Sequence, residues 1–425
     1  MRVRFATCAT VAGLVVGLVV LSGSSGCPAG GVLGGGIGGS SELVGADVCR
    51  GCHHEIHTAW SGSRHAAALQ SLVDAGQSFN PSCLPCHTTG YGAGGFVSPV
   101  ATPKFGGVQC ESCHGSGARH VGTRNPADIV RVPGTVVCAG CHTGPARPEF
   151  DEWALSRHAL ALDDVRNSPD RADDCLRCHA TDYATRLRKN EARALVGLPP
   201  LPVPSIADAD ASNDPVESVG CTSCHAPHAS DAPRQLRVAG SGACTGCHAD
   251  PTLTLGVLPH APQQNLLQGS GARRAGMSMA VELLPGLPGG HGAAGLESLG
   301  GCAKCHGAES RVANPDAGNP NHTGHRFEIA FTNCTPCHPS DVAESLLNAL
   351  QTEIDAQIPP LRQRIADARA HPFLVEPNRT RLSACELNLD FLERDGSHGA
   401  HNAPYARQML IATDALLDAV EASLP

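Results

Sequence analysis

The pentapeptide Cys110-Glu111-Ser112-Cys113-His114 has the pattern C-x-x-C-H, which occurs nine times in the chain. The other eight copies begin at Cys49, Cys83, Cys138, Cys175, Cys221, Cys244, Cys302 and Cys334. No other feature constrains the fold as tightly. Each copy has the chemistry of a c-type haem attachment site, in which two thiols add to the haem vinyl groups. The thiol pairs are Cys49/Cys52, Cys83/Cys86, Cys110/Cys113, Cys138/Cys141, Cys175/Cys178, Cys221/Cys224, Cys244/Cys247, Cys302/Cys305 and Cys334/Cys337. The next residue, His53, His87, His114, His142, His179, His225, His248, His306 or His338, is then placed as an axial iron ligand. A zinc site needs no histidine directly after its second cysteine, and a redox dithiol usually occurs once, in a βαβ pattern. Here every C-x-x-C is followed by His. The motifs use 18 of the 21 cysteines and leave Cys8, Cys27 and Cys385.

Nine porphyrins change what the chain must bury. Aromatic residues make up only 3%, while Gly and Pro number 48 and 32. A conventional core is hard to build from that material, so the haems are expected to serve as much of the interior. No run of alternating β-branched residues between turn signals stands out. The expected fold is mainly α with much irregular structure, short helices and loops wrapping a haem stack. A net charge of −9 argues against nucleic acid, which would call for a basic patch.

Residues 1–26 read as an export signal: Arg2 and Arg4, an apolar run from Val11 to Leu21, then small residues from Ser22 to Gly26. The apolar run is short for a membrane span. Cys27 follows directly, so lipidation at Cys27 is expected, with simple signal cleavage as the alternative. Residues 27–47 form a Gly-rich tether. Such a chain is exported, to the periplasm or the outer membrane and cell surface.

Residues 48–339 form the motif region and contain an internal repeat. The first motif is followed by Trp60, Ser63, His65 and Ala66, and the fourth by Trp153, Ser156, His158 and Ala159, the shared word being W-x-x-S-x-H-A. Each word leads to a second motif and then a third with a histidine close behind, His120 or His228. Two three-motif modules and a final group of three result. Residues 340–425 lack motifs and look helical. Leu346, Leu350, Ile354, Ile358, Leu361 and Ile365 form one apolar stripe, and Leu382, Cys385, Leu389 and Leu392 a second. Asp341 and Glu344 have capping-box spacing, Pro359-Pro360 should kink or split the first helix, and Pro404 marks the start of a third. Cys385 is expected to be a buried free thiol.

C-x-x-C-H followed by W-x-x-S-x-H-A resembles the first haem site of the tetrahaem cytochrome c-554-type family of nitrifying bacteria. The stretch from Gly107 to His120 resembles another site of that family. Asp395-Gly-Ser-His-Gly-Ala-His401-Asn402-Ala-Pro404-Tyr405 resembles a segment of the related octahaem nitrite, tetrathionate and hydroxylamine enzymes. The likeness covers most of residues 48–425. It implies a multihaem cytochrome c fold and a ligand role for His401. Related nitrite reductases use C-x-x-C-K, which is absent here. The related hydroxylamine enzymes use a cross-linked Tyr, and none of Tyr91, Tyr183 and Tyr405 is evidently placed for one.

Each iron needs a sixth ligand. Thirteen of the 22 His lie outside the motifs, and once Met1 leaves with the signal only Met277, Met279 and Met409 remain. Bis-His ligation and low potentials are therefore expected. The candidate distal ligands are His65, His120, His158, His228, His260, His291, His322, His325 and His401. His228 lies too close to His225 to serve the same iron, so it should serve a neighbour. His54, His57, His371 and His398 are expected on the surface or behind the ligands, and Trp60 and Trp153 against porphyrin faces. The expected function is electron transfer through the haems between redox protein partners. The alternative is a nitrogen- or sulfur-compound oxidoreductase with one open haem.

Overall fold

The computed structural model describes residues 42–210, 216–276, 280–293, 301–307, 309–335, 337–339 and 341–425. The expected export signal, Cys8, Cys27, the tether up to residue 41, Met277 and Met279 lie outside them.

The motif region alternates single helical turns with loops. The turns Leu84–His87, Cys110–His114, Leu176–His179, Cys221–Cys224 and Ala303–His306 each carry motif residues. Its longest helix is α1 (Thr181–Leu195), between the second and third motifs of the second module. One antiparallel strand pair is present among the described residues, β1 (Arg273–Ala275) with β2 (Val281–Leu283). The fold is mainly helical, as expected.

The internal repeat is a repeat of hydrogen bonds. Trp60 Nε1 donates to Val108 O at 3.0 Å, and Trp153 Nε1 to Val219 O at 2.8 Å. Each acceptor lies two residues before its module's third motif. Thr89 and Thr181, each two residues after a second-motif histidine, repeat the theme. Thr89 Oγ1 donates to Gly107 O and accepts from Gln109 N, both at 2.9 Å. Thr181 Oγ1 donates to Ser218 O at 2.6 Å and accepts from Gly220 N at 2.8 Å. Each indole and hydroxyl ties a module's early motifs to its last one. Gly107, at φ +82°, sits where an added Cβ would come within 2.4 Å of Ala66 O, so the W-x-x-S-x-H-A word packs directly on backbone.

Apolar packing in the motif region is modest. Leu72, Leu84, Phe96 and Phe105 cluster in the first module, and Leu162, Val165, Leu176 and Tyr183 in the second. The one extensive core is C-terminal. There α2 (Ala343–Ala370), α3 (Asn378–Asp395) and α4 (Ala403–Glu421) pack together and against the hairpin. Ile354, Ile358, Leu361 and Ile365 are buried along α2, while Leu346 is exposed. The second stripe, Leu382, Cys385, Leu389 and Leu392, is buried throughout, and burial pushes the Cys385 thiol up to about 12. Tyr405 O–H donates to Leu284 O and accepts from Ala272 N, both at 3.1 Å, which fastens α4 to the hairpin.

Two local expectations fail. Helix α2 runs through Pro359 and Pro360 without a split. Both prolines are exposed, and so are Asp355 and Ala356, whose carbonyls lose their helical donors. Water can satisfy those carbonyls, while the buried face packs on both sides of the prolines, so the helix is not split there. The capping box also does not form: the helix begins at Ala343, its cap is Val342, and no side chain bonds there. No helix among the described residues is long and apolar enough to cross a membrane.

Candidate haem-binding sites

Eight motif histidines face a second histidine. Ring centroids stand 6.3 Å apart for His53 and His120, 6.2 Å for His142 and His65, and 5.9 Å for His114 and His228. The distances are 6.0 Å for His179 and His260, 6.1 Å for His225 and His325, and 6.1 Å for His248 and His158. They are 6.2 Å for His306 and His401 and 6.3 Å for His338 and His291. This spacing is too wide for direct ring contact and suits one metal ion between two imidazoles. Two metal–nitrogen bonds of about 2 Å plus the offset of each nitrogen from its ring centre put the centroids roughly 6 Å apart. Among the described residues no group of three or more His, Cys, Asp or Glu converges on a point. A metal held this way needs its equatorial donors from a macrocycle, which is what a haem supplies.

The second nitrogen of seven of these rings is anchored to a neutral group. Nδ1 of His179 donates to Ala161 O at 2.8 Å, His114 to Val130 O at 2.6 Å, His120 to Asn125 O at 2.9 Å, His225 to Arg234 O at 3.0 Å and His306 to Phe327 O at 3.2 Å. Nδ1 of His248 faces Gln263 Oε1 at 3.3 Å, and that of His325 faces Thr323 Oγ1 at 2.9 Å. Such bonds fix the ring and leave Nε2 free to bind metal. Burial pulls His158 down to about 4, with the His248 ring adding to the effect. Burial also lowers His65, His225, His228, His248, His306 and His325. Neutral imidazole is the ligating form.

The pairs interlock the modules. His65 of the first module faces the first motif of the second, and His228 of the second faces the third motif of the first. His158 and His260 serve the seventh and fifth motifs, and His325 the sixth. His401, just before α4, ties the bundle to the eighth. Cysteines of different motifs also stand side by side: Cys49 with Cys110, Cys86 with Cys141, Cys138 with Cys221, and Cys178 with Cys247.

His87 and His322 depart from the pattern. Nδ1 of His87 is 2.8 Å from Ala68 O, matching His179 on Ala161 O, yet no histidine ring faces His87 among the described residues. His322 is not brought to a motif histidine. Its Nδ1 lies 3.5 Å from Glu152 and its side chain is 62% exposed. Glu152 instead organises the loop that carries His325, accepting from Thr323 N at 3.0 Å and His325 N at 2.9 Å. His57 lies against Trp60, His371 beside Phe373, and His398 2.6 Å from Asp355. The bonds from Trp60 and Trp153 to backbone carbonyls were not foreseen. The signal available was the valine two residues before each third motif, Val108 and Val219.

Motifs that attach haem, with histidine pairs spaced for an iron, define a multihaem c-type cytochrome. Residues 48–115 match the family "Cytochrome c554 and c-prime", and residues 213–252 match a doubled CXXCH motif. Cytochrome c-554 of Nitrosomonas europaea is 30% identical over 93 residues, 18% of this chain and 40% of that protein. The match thus spans well under half the length of that curated relative. The outer cell wall cytochrome OcwA superposes with a TM-score of 0.62 at 18% identity, covering 88% of this chain and 99% of that one. An undecahaem cytochrome from the S-layer of Carboxydothermus ferrireducens superposes with a TM-score of 0.59 at 18% identity, covering 91% and 70%. At that identity the likeness is one of fold.

Proposed function

We propose that the chain is an exported nine-haem cytochrome that carries electrons between redox protein partners, through haems that are bis-His ligated at all sites but one. The eight histidine pairs at 5.9–6.3 Å carry this reading. Each motif would hold its haem by two thioethers and one histidine, and at eight of the nine the facing histidine would supply the second ligand. Bound haem supplies the one-electron chemistry. The polypeptide supplies spacing, ligation and burial. Thiol pairs between motifs bring attachment edges side by side, as close haem packing requires. Cys52 in the first motif and Cys337 in the ninth are the exposed motif cysteines among the described residues, which makes those two motifs the candidates for contact with partners. The relatives named for a cell wall and an S-layer favour export, and Cys27 is the residue for a lipid anchor. Mass analysis of the mature protein should find nine haems, one on each motif. Fewer than nine would overturn the count.

His87 favours a second reading, an oxidoreductase with one open iron. With no histidine opposite it among the described residues, that iron is expected to be high-spin in the oxidised protein and to take an added small ligand such as cyanide. Electron paramagnetic resonance should show one high-spin haem, and a wholly low-spin spectrum would remove this reading.

The turn before His260 offers a further check. Asp250 accepts from Thr252 N and His260 N, both at 2.8 Å, and from Leu253 N at 3.2 Å. Asp250→Ala should free His260 from His179 and add a second high-spin haem. An unchanged spectrum would mean that the turn does not position the ligand.

A further inference from the structure

Seven of the paired histidines place Nδ1 on a neutral acceptor: a backbone carbonyl, the Gln263 amide or the Thr323 hydroxyl. His401 donates to a carboxylate, with Nδ1 2.6 Å from Asp395 Oδ1. The Asp395 side chain, on the last residue of α3, is fully buried. Its other oxygen accepts from Ser397 N at 3.0 Å and from the Ser397 hydroxyl. That hydroxyl in turn accepts from His401 N at 3.1 Å, which closes a small ring around the ligand. The nearest parallel is Glu149, whose longer ion pair with Nδ1 of His142, at 3.6 Å, is shared with Arg147 at 3.8 Å.

We propose that Asp395 is the positioning residue that makes the haem on Cys302, Cys305 and His306 the lowest in potential of the bis-His set. This rests on the ligand assignment above. A buried carboxylate accepting the Nδ1 proton draws that proton away from the ring and makes Nε2 a stronger donor. Stronger donation favours the more positive iron, Fe(III), over Fe(II), so the one-electron reduction becomes harder. No bond is made or broken in that step, because the electron comes from the electrode or partner and stays on iron. The site lies where the bundle meets the array, so the array has a step in potential near its ninth-motif end.

The experiment is a potentiometric titration of the haem-loaded full chain, followed optically and by electron paramagnetic resonance. Asp395→Asn keeps the shape and an acceptor oxygen but removes the charge. It should raise the midpoint of one haem, so that its Fe(II)/Fe(III) ratio at fixed potential rises on the order of tenfold, about 59 mV for one electron. Asp395→Glu should keep the native value. His401→Ala marks the site by turning one low-spin haem high-spin, and the native signal it removes should be the lowest-potential bis-His haem. That comparison does not require the asparagine variant to fold. If His401→Ala adds no high-spin haem to the native spectrum, the ligand assignment fails. If it marks a haem that is not the lowest, or if Asp395→Asn moves no midpoint upward, the role of Asp395 is overturned while the ligand assignment stands.

Discussion

His228→Ala converts one haem from low-spin to high-spin, and that haem is the one on Cys110 and Cys113. His228 follows the sixth motif by three residues, yet its ring stands 5.9 Å from His114 of the third. The attached thioethers keep the haem in place when the distal ligand is lost, so the change should be in spin state and ligand binding and not in haem content. The matched control is His322→Ala. That side chain is mostly exposed beside Glu152, and its removal should leave the spectrum native. Electron paramagnetic resonance of the oxidised proteins distinguishes the two. A high-spin haem beyond the native one in the His322 variant, or no additional one in the His228 variant, would overturn the pairing.

Glu111→Ala should unfold the entry to the first module at markedly lower denaturant. Glu111 is a motif residue between Cys110 and Cys113, but its carboxylate is buried. One oxygen accepts from Val44 N at 3.0 Å and Gly117 N at 2.7 Å, and the other from Gly45 N at 2.8 Å. Alanine would leave three backbone N–H groups without an acceptor in a place water reaches poorly. A buried unpaired donor costs roughly 1–3 kcal/mol, so a loss on the order of 3 kcal/mol or more is expected. Hydrogen exchange should speed up first at Val44, Gly45 and Gly117. Denaturant unfolding of the haem-loaded protein, followed by its haem absorption, provides the measure, and a native midpoint would count against the role of the carboxylate. Thr135 N donates to Glu217 at 2.5 Å in the second module, so the same device sits beside its third motif at a different sequence position.

Much of the site was legible because haem attachment is local chemistry. Five consecutive residues carry the two thiols and the proximal ligand, so spacing alone identifies them. The repeated W-x-x-S-x-H-A word likewise marked His65 and His158, and helical periodicity found Ile354, Ile358, Leu382 and Leu389 as core. What spacing did not yield was the set of partners. His325 was singled out together with His322, and nothing in Asn321-His322-Thr323-Gly324-His325 separates them. Glu152, far away in the chain, decides the matter by gripping the backbone of Thr323 and His325. The same holds for Pro359 and Pro360, whose effect depended on which way the helix faced.

The chain's order of residues was sufficient to expect where haem is attached and which histidine would lie beneath it, since both follow from residues within a single turn. Which histidine stands opposite each motif histidine, and why His87 has none opposite it among the described residues, depended on segments tens of residues or more apart meeting in space. A sixth ligand is chosen by proximity after folding, and proximity between modules is set by packing, which local pattern does not encode.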